Sequence, residues 1–572
     1  MFSRVLGLLV PVLSLSGSEF YASVSAASGD GSRANPWSIG QLFGNPQPAA
    51  ITAAVKSEAV TVWVRGGACK AGTWSPRIIG NATYRVILRA FPGERVCLDR
   101  AGANDSTQAL VLSASHYADY IGLEVTDSDL VRAWGTTGST PPNGKAGIVN
   151  WQGSVSVRII YGYLHDAAGD GVGWWRGSSG ELYGNLIVNN GWNAPDRWHG
   201  HCIYTQNSLA EATKVIKGNI LSAIGDGHQT IQVYTQGGEI SNYEFTNNIA
   251  YRNRWLVGGY QPAKNITLTG NHIRSTAQFG YSNKLNEALA LDGNKFTGSV
   301  SVSWWNAVTA ANNVFRSGKV PFAKDGNGNL ALTFDRNRWQ ITGGTAQIAS
   351  ANSTNYTFAT WQAAGRDLNG VREEPPNIQE VSYIRVDDFE ARRCHIVVYN
   401  WPDLATGDVD LSQCGFVSGE LYQIQDVQAM AEAPLHTGTY TGAPISVNLA
   451  YAGVTEPTGV LTCPTCRPYT FAKTAKTWRA YLVRRHQTVV LLTFTARNPF
   501  PSATQLRLNL GPTATLLDFP SQTVACAYNA ICTVLVDCHW IGPMYYEWIY
   551  KDTAGNAVAR SAVMPIRAVL TS

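Results

Sequence analysis

The chain has 572 residues, of which 45% are hydrophobic and only 15% charged, with a formal net charge of +4. So weak a charge excludes the electrostatic footprint of a nucleic-acid binder or of a protein held on an anionic membrane. The length excludes one ordinary core unless the chain is a solenoid, and the wealth of Gly (55), Tyr (25) and Trp (18) argues for an all-β protein.

Arg4 precedes an apolar run from Val5 to Leu15, long enough for the core of a secretory signal and too short to span a bilayer. Residues 1–18 are therefore predicted to be a signal peptide, with cleavage somewhere in 17–26. No other segment is long and apolar enough to form a membrane span. The expected location is secreted, extracellular or at the cell surface, with the periplasm as the alternative. Ten cysteines suit an oxidising compartment. Cys69 with Cys97, Cys394 with Cys414 and Cys526 with Cys532 are the expected pairs. Cys463-Pro464-Thr465-Cys466 reads as a loop disulfide, while Cys202 and Cys538 have no assigned partner.

After a first short strand from Phe20, helices are expected over 38–43 and 49–55, followed by strands at 60–65 and 84–90. Then an Asn that closes an alternating strand recurs at Asn185, Asn219, Asn248, Asn271, Asn294, Asn313 and Asn337, at intervals of 34, 29, 23, 23, 19 and 24 residues. A strand–turn–strand period in the low twenties is the mark of a β-solenoid. The Asn residues read as structural, because stacked amides at a tight turn bond to the coils above and below. The coils between Asn185 and Asn248 are the longest, so their extra residues must protrude as loops. Regularity fades after Trp339, and Glu373-Glu374-Pro375-Pro376 reads as a linker.

Several phrases resemble secreted bacterial right-handed parallel β-helix proteins of the pectate-lyase-like superfamily. They are Phe20-Tyr21, Asn35–Trp37, Val62–Gly67, Ile87–Val96 and the stretch Asp196–Asn207 (DRWHGHCIYTQN). The phrases His395–Trp401 and Gly419–Gln428 resemble the β-sandwich module that often follows such helices. The resemblance implies a right-handed parallel β-helix over 19–375 with an N-terminal cap, a β-sandwich domain over 381–486, and an immunoglobulin- or fibronectin-like sandwich over 487–572. It also implies a polysaccharide partner, with cell-surface attachment through the C-terminal domains as a further role. That superfamily includes pectate, alginate and chondroitin lyases, polygalacturonase-type hydrolases and inert adhesins. Neither the carboxylate array of pectate lyases nor the paired-aspartate motif of the hydrolases is recognisable in this chain.

Chemistry concentrates between Gly169 and Gly238. Aligned on glycines, Gly169–Val172, Trp198–His201 and Gly225–His228 place Asp170, His199 and Asp226 in one column and Val172, His201 and His228 in another. Carboxylates beside imidazoles suit acid–base work, because an Asp orients a His that titrates near neutrality. No cofactor is fixed by the sequence, but Asp170, His199, Asp226 and His228 could hold a divalent metal, calcium or zinc. Arg197 and Arg254 are candidates to hold a uronate carboxylate. Trp174, Trp175, Trp192, Trp198, Tyr204, Tyr234 and Gln206 could line a sugar-binding face. The leading expectation is a polysaccharide lyase acting on an acidic glycan, with His199 or His201 as the base. Asp170 and Asp226 as an acid–base pair would instead make a hydrolase; two coils apart, about 9–10 Å, they lean towards inversion. A non-catalytic adhesin or assembly protein is the competing class.

Overall fold

A computed structural model describes residues 17–101, 108–128, 131–138, 147–223, 228–316, 318–323, 331–343, 346–351, 353–450, 457, 459, 462–467 and 477–486. Beyond 486 it describes mainly backbone, in strands between 490 and 566. Residues 1–16 of the expected leader, Gly225-Asp226-Gly227, Cys526 and the end of the Asp552–Asn556 turn lie outside the described residues.

Three long sheets of 13, 12 and 11 strands, almost wholly parallel, form the faces of a parallel β-helix. Each coil runs strand, turn, strand, turn, strand, as in Gly180–Tyr183, Leu186–Val188 and His201–Thr205. Alternating apolar residues set the register, since one face of every strand must leave water. Leu182, Ile216, Phe245, Leu268, Leu291 and Ala310 stack one above another along the first sheet, all buried. Each such Leu, Ile or Phe contributes about 1.5–3 kcal/mol on burial. The helix is capped at its start by short helices at Ile39–Leu42 and Ala49–Ala54. Ser38 and Gln41 form a capping box on the first.

The Asn ladder runs unbroken at the corner between the first two sheets. The Asn185 side-chain amide donates to Asn219 Oδ1 at 2.8 Å, Asn219 to Asn248 at 3.0 Å, and so on to Asn337. Every member is fully buried, and Asp367 closes the ladder by accepting the Asn337 backbone N–H. Buried amides at a turn must find partners, and stacking supplies them from identical neighbours.

Residues 379–485 add an antiparallel five-stranded sheet. It packs against the β-helix through Tyr161, Tyr183, Ile249 and Tyr251 on one side and Val386, Val397, Tyr399 and Trp478 on the other. Antiparallel pairs also join Val490–Arg497 to Ile531–Cys538 and Gln505–Gly511 to Met544–Lys551. Disulfides join Cys69 to Cys97, Cys394 to Cys414 and Cys463 to Cys466, and Cys202 is buried as a free thiol. Among the described residues no helix is long and apolar enough to cross a membrane.

Candidate functional site

The site is built on the 11-stranded sheet. Its relevant elements are β1 (Asp170–Trp174), β2 (Trp192–Asn193), β3 (Trp198–His199), β4 (His201–Thr205), β5 (Gln229–Val233), β6 (Arg254–Val257) and β7 (Thr276–Phe279). Strands β1, β4, β5, β6 and β7 are successive parallel neighbours. β2 and β3 form a small antiparallel hairpin inserted before β4.

The register corrects the glycine-based columns. Val172 lies opposite Ile203 and Ile203 opposite Ile231, all three fully buried. Continued two residues back, this sets Asp170 against His201, not against His199. His201 is followed by Gln229, Arg254 and Thr276 in the same column. The physical reason is that core residues, not glycines, fix strand register. Gly200 belongs to the bend between hairpin and strand: its φ is +83°, and a Cβ there would lie 2.6 Å from the Gly169 carbonyl oxygen.

Asp170 and His201 meet at 2.6 Å, Oδ1 to Nδ1, and both remain partly open to solvent. With Nδ1–H donated to the carboxylate, Nε2 becomes the nitrogen able to accept a proton. The Tyr204 ring stands 5.3 Å from the His201 ring, on the same face of β4. Burial pushes the Tyr204 phenol up to about 12, so it is a proton donor at neutral pH. Gln206 Nε2 donates to the Tyr204 hydroxyl at 3.3 Å. Beneath this wall the buried Lys214 Nζ donates to the carbonyls of Trp174, Trp175 and Gln206 at 3.0, 2.7 and 2.7 Å, and burial pulls its pKa well down. It ties two coils together at the point where Trp175 and Gln206 emerge.

Other candidates sit elsewhere. His199 is buried on β3, stacked on Trp192 at 4.2 Å between ring centroids. Burial and the Arg197 charge pull its pKa down to about 4, so it is neutral at pH 7. His228 is buried, with Nε2 donating to the Trp192 carbonyl at 3.2 Å. His199 packs within the hairpin and His228 against it. Trp174 is fully buried and stacked on Trp151 at 4.0 Å, and Trp192 is buried too, so neither offers a sugar platform. Trp175 and Tyr234 are half-buried on the outer face. Trp198 lies on the hairpin under the Arg467 guanidinium at 4.8 Å. Arg197 pairs with Asp196 at 3.2 Å, and Arg254 hydrogen-bonds Gln278 Oε1 at 3.1 Å, two coils from His201.

Of the four expected metal ligands, Asp226 lies outside the described residues and the other three already have partners. Asp170 is committed to His201, His228 to a backbone carbonyl, and His199 to the Trp192 stack. Among the described residues the one converging group of ligand types is Cys69, Cys97 and Glu124, whose two sulfurs form a disulfide.

Sequence reasoning passed over Gln229, Tyr260 and Tyr281. Tyr260 and Tyr281 close β6 and β7 after glycines, as Val257-Gly258-Gly259-Tyr260 and Phe279-Gly280-Tyr281. A strand end followed by Gly and Tyr was the available signal.

No family model matches the chain, and no curated protein matches it. Among solved structures it is similar to a lacto-N-biosidase from Eubacterium ramulus, at 11% identity and TM-score 0.32, over 63% of this chain and 68% of that one. It is also similar to an alginate lyase from Paenibacillus sp. str. FPU-7, at 12% identity and TM-score 0.26, over 57% of this chain and 95% of that one. A third likeness is to tailspike protein gp49 of Acinetobacter baumannii bacteriophage Fri1, a capsular polysaccharide depolymerase, at 8% identity and TM-score 0.28, over 87% and 77%. Similarity this remote fixes neither substrate nor reaction.

Proposed function

We propose that the protein is a secreted polysaccharide-degrading enzyme, a lyase acting on an acidic glycan at the outer face of β1, β4 and β5. The observation that carries this reading is the 2.6 Å Asp170–His201 pair with Tyr204 beside it on a partly open surface. His201 Nε2 takes the proton on the carbon next to the uronate carboxyl group. The Tyr204 hydroxyl gives its proton to the departing glycosidic oxygen, the C–O bond breaks, and a carbon–carbon double bond forms in the sugar left behind. Asp170 holds the imidazole in the needed tautomer and stabilises it when protonated. The Gln206 amide, bonded to the Tyr204 hydroxyl, and Gln229, opposite His201 on the next strand, supply N–H donors for the carboxyl oxygens. The three disulfides support an oxidising, extracellular setting.

The test is activity on alginate, polygalacturonate and neutral glycans, reading ultraviolet absorbance of unsaturated products beside reducing ends. Absorbing product from an acidic glycan, lost in His201→Ala and in Tyr204→Phe by roughly 10²–10⁴-fold, is the expected result. Reducing ends without absorbance would replace the lyase with a hydrolase. Neither product from any glycan, with the protein folded, would favour an adhesin.

A further inference from the structure

Five successive coils each carry one aromatic ring on the face that holds Asp170 and His201: Trp175, Tyr204, Tyr234, Tyr260 and Tyr281. Trp175 and Tyr204 are 5.3 Å apart between centroids, and Tyr204 and Tyr234 are 6.5 Å apart. Tyr234, Tyr260 and Tyr281 form a triangle of 6.0, 5.7 and 6.0 Å. The row is kept open by chain geometry. In the column of Tyr234 the next two coils place Gly258 and Gly280, and a Cβ on Gly280 would fall 1.7 Å from the Ser303 carbonyl oxygen. With no side chain possible there, the tyrosines at the turns beyond supply the rings, and Tyr260 is 42% exposed.

Trp175, Tyr204 and Tyr234 follow one another along the axis at about one coil each, and Tyr260 and Tyr281, both within 6.0 Å of Tyr234, close the track as one cluster. A linear chain of pyranoses advances by about one coil spacing per residue, and the apolar face of a pyranose packs on an aromatic ring. Arg254, on the Tyr260 coil and bonded to Gln278 on the Tyr281 coil, sets a guanidinium among the distal rungs. Its place two coils from His201 assigns it to a carboxylate further along the chain than the sugar being cleaved.

We infer that the five rings are one binding track for a linear acidic glycan lying along the solenoid axis, placed asymmetrically about the reacting bond. One ring, Trp175, lies on one side of His201 and Tyr204; a cluster of three, Tyr234, Tyr260 and Tyr281, lies on the other. This rests on the lyase reading of the His201 face for the position of the cleaved bond. The enzyme then cuts within chains, and substrate length is sensed on the tyrosine side.

The test uses the full chain and oligouronates of two to eight residues prepared from alginate and from polygalacturonate. For the wild type, kcat/KM rises with length up to about five residues and then levels. Tyr260→Ala/Tyr281→Ala lowers it by several-fold to about tenfold per ring on five residues and longer, through KM, and leaves the two- and three-residue substrates unchanged. Tyr260→Phe/Tyr281→Phe keeps the rings and restores the long-substrate rate. An equal loss at every length, or a wild-type gain that ends at three residues, would overturn the track. Calorimetry with the same oligomers separates the two readings. If nothing is cleaved but affinity still grows to five residues and falls in the double alanine variant, the lyase reading fails and the track stands. If folded protein binds no length at all, the track fails.

Discussion

Two carboxylate–imidazole pairs lie close together in this chain and differ in what surrounds them. His165 is buried and stacked on Tyr163 at 3.9 Å. Its Nδ1 meets Asp166 at 2.7 Å and its Nε2 meets Glu124 at 3.0 Å. Each carboxylate is held in turn by an arginine, Asp166 by Arg132 at 2.8 Å and Glu124 by Arg95 at 2.5 Å. Among the described residues His201 has one carboxylate, Asp170, with Tyr204 beside it and part of its surface open. The same residue types therefore make a closed structural network in one place and a group with a spare nitrogen in the other. Satisfying both ring nitrogens ends a histidine's usefulness as a base, whereas satisfying one prepares it.

Exchanging the effects of the two histidines is the sharpest way to break that comparison. His201→Ala is expected to remove 10²–10⁴ in turnover with little change in unfolding midpoint, because a partly exposed pair contributes little stability. His165→Ala should do the reverse. It strands Asp166 and Glu124 in a buried site and costs about 3–5 kcal/mol by chemical denaturation, while the folded fraction keeps its turnover. If His165→Ala silenced the proposed activity of the folded protein, or His201→Ala unfolded it, the division between structural and reactive pairs would be wrong.

The parts of this molecule legible in the sequence are those that repeat. The Asn ladder was visible because each member meets the same corner, and a buried amide there has one good partner, its equivalent in the next coil. The polar patch was also visible, because Asp170, His201 and Tyr204 crowd a short stretch. Their pairing was not. The eight-residue excursion from Trp192 to His199 carries its own glycine boundary, so aligning Gly171 with Gly200 slips the register by two residues. A slip by an even number keeps the faces right and the neighbours wrong, so the glycine alignment sets His199 where the strand register sets His201. Depth was hidden as well. Trp174 and Trp175 are adjacent and alternate between core and surface, and nothing in composition says which faces out.

The smallest effect expected is also the one that tests the closed network most directly. Burial pulls the His165 pKa down, but its bonds to Asp166 and Glu124 outweigh this and hold it above its ordinary value. Glu124 is drawn down to about 2 against its own burial, by Arg95 and His165. A histidine raised in the folded state contributes stability that is complete below its unfolded pKa, about 6.5, and is lost as pH climbs through the folded value. Tyr163 and Arg95 are raised and Glu124 is lowered, so these neighbours keep one charge state across that window; Asp166, held by Arg132, faces the other ring nitrogen. The wild type is therefore expected to lose stability from about pH 6.5 upward, by at most about 1.4 kcal/mol per pH unit from this one proton. His199, lowered to about 4 by burial and Arg197, acts with the opposite sign. Its share is complete above about pH 6.5 and is lost as pH falls towards 4. Unfolding free energies of His165→Gln and His199→Gln, measured between pH 4 and 9, should flatten the alkaline limb in the first variant and the acid limb in the second. An alkaline limb that survives His165→Gln would mean that the enclosed histidine is not charged in the folded protein, and its two carboxylates would then need another proton between them.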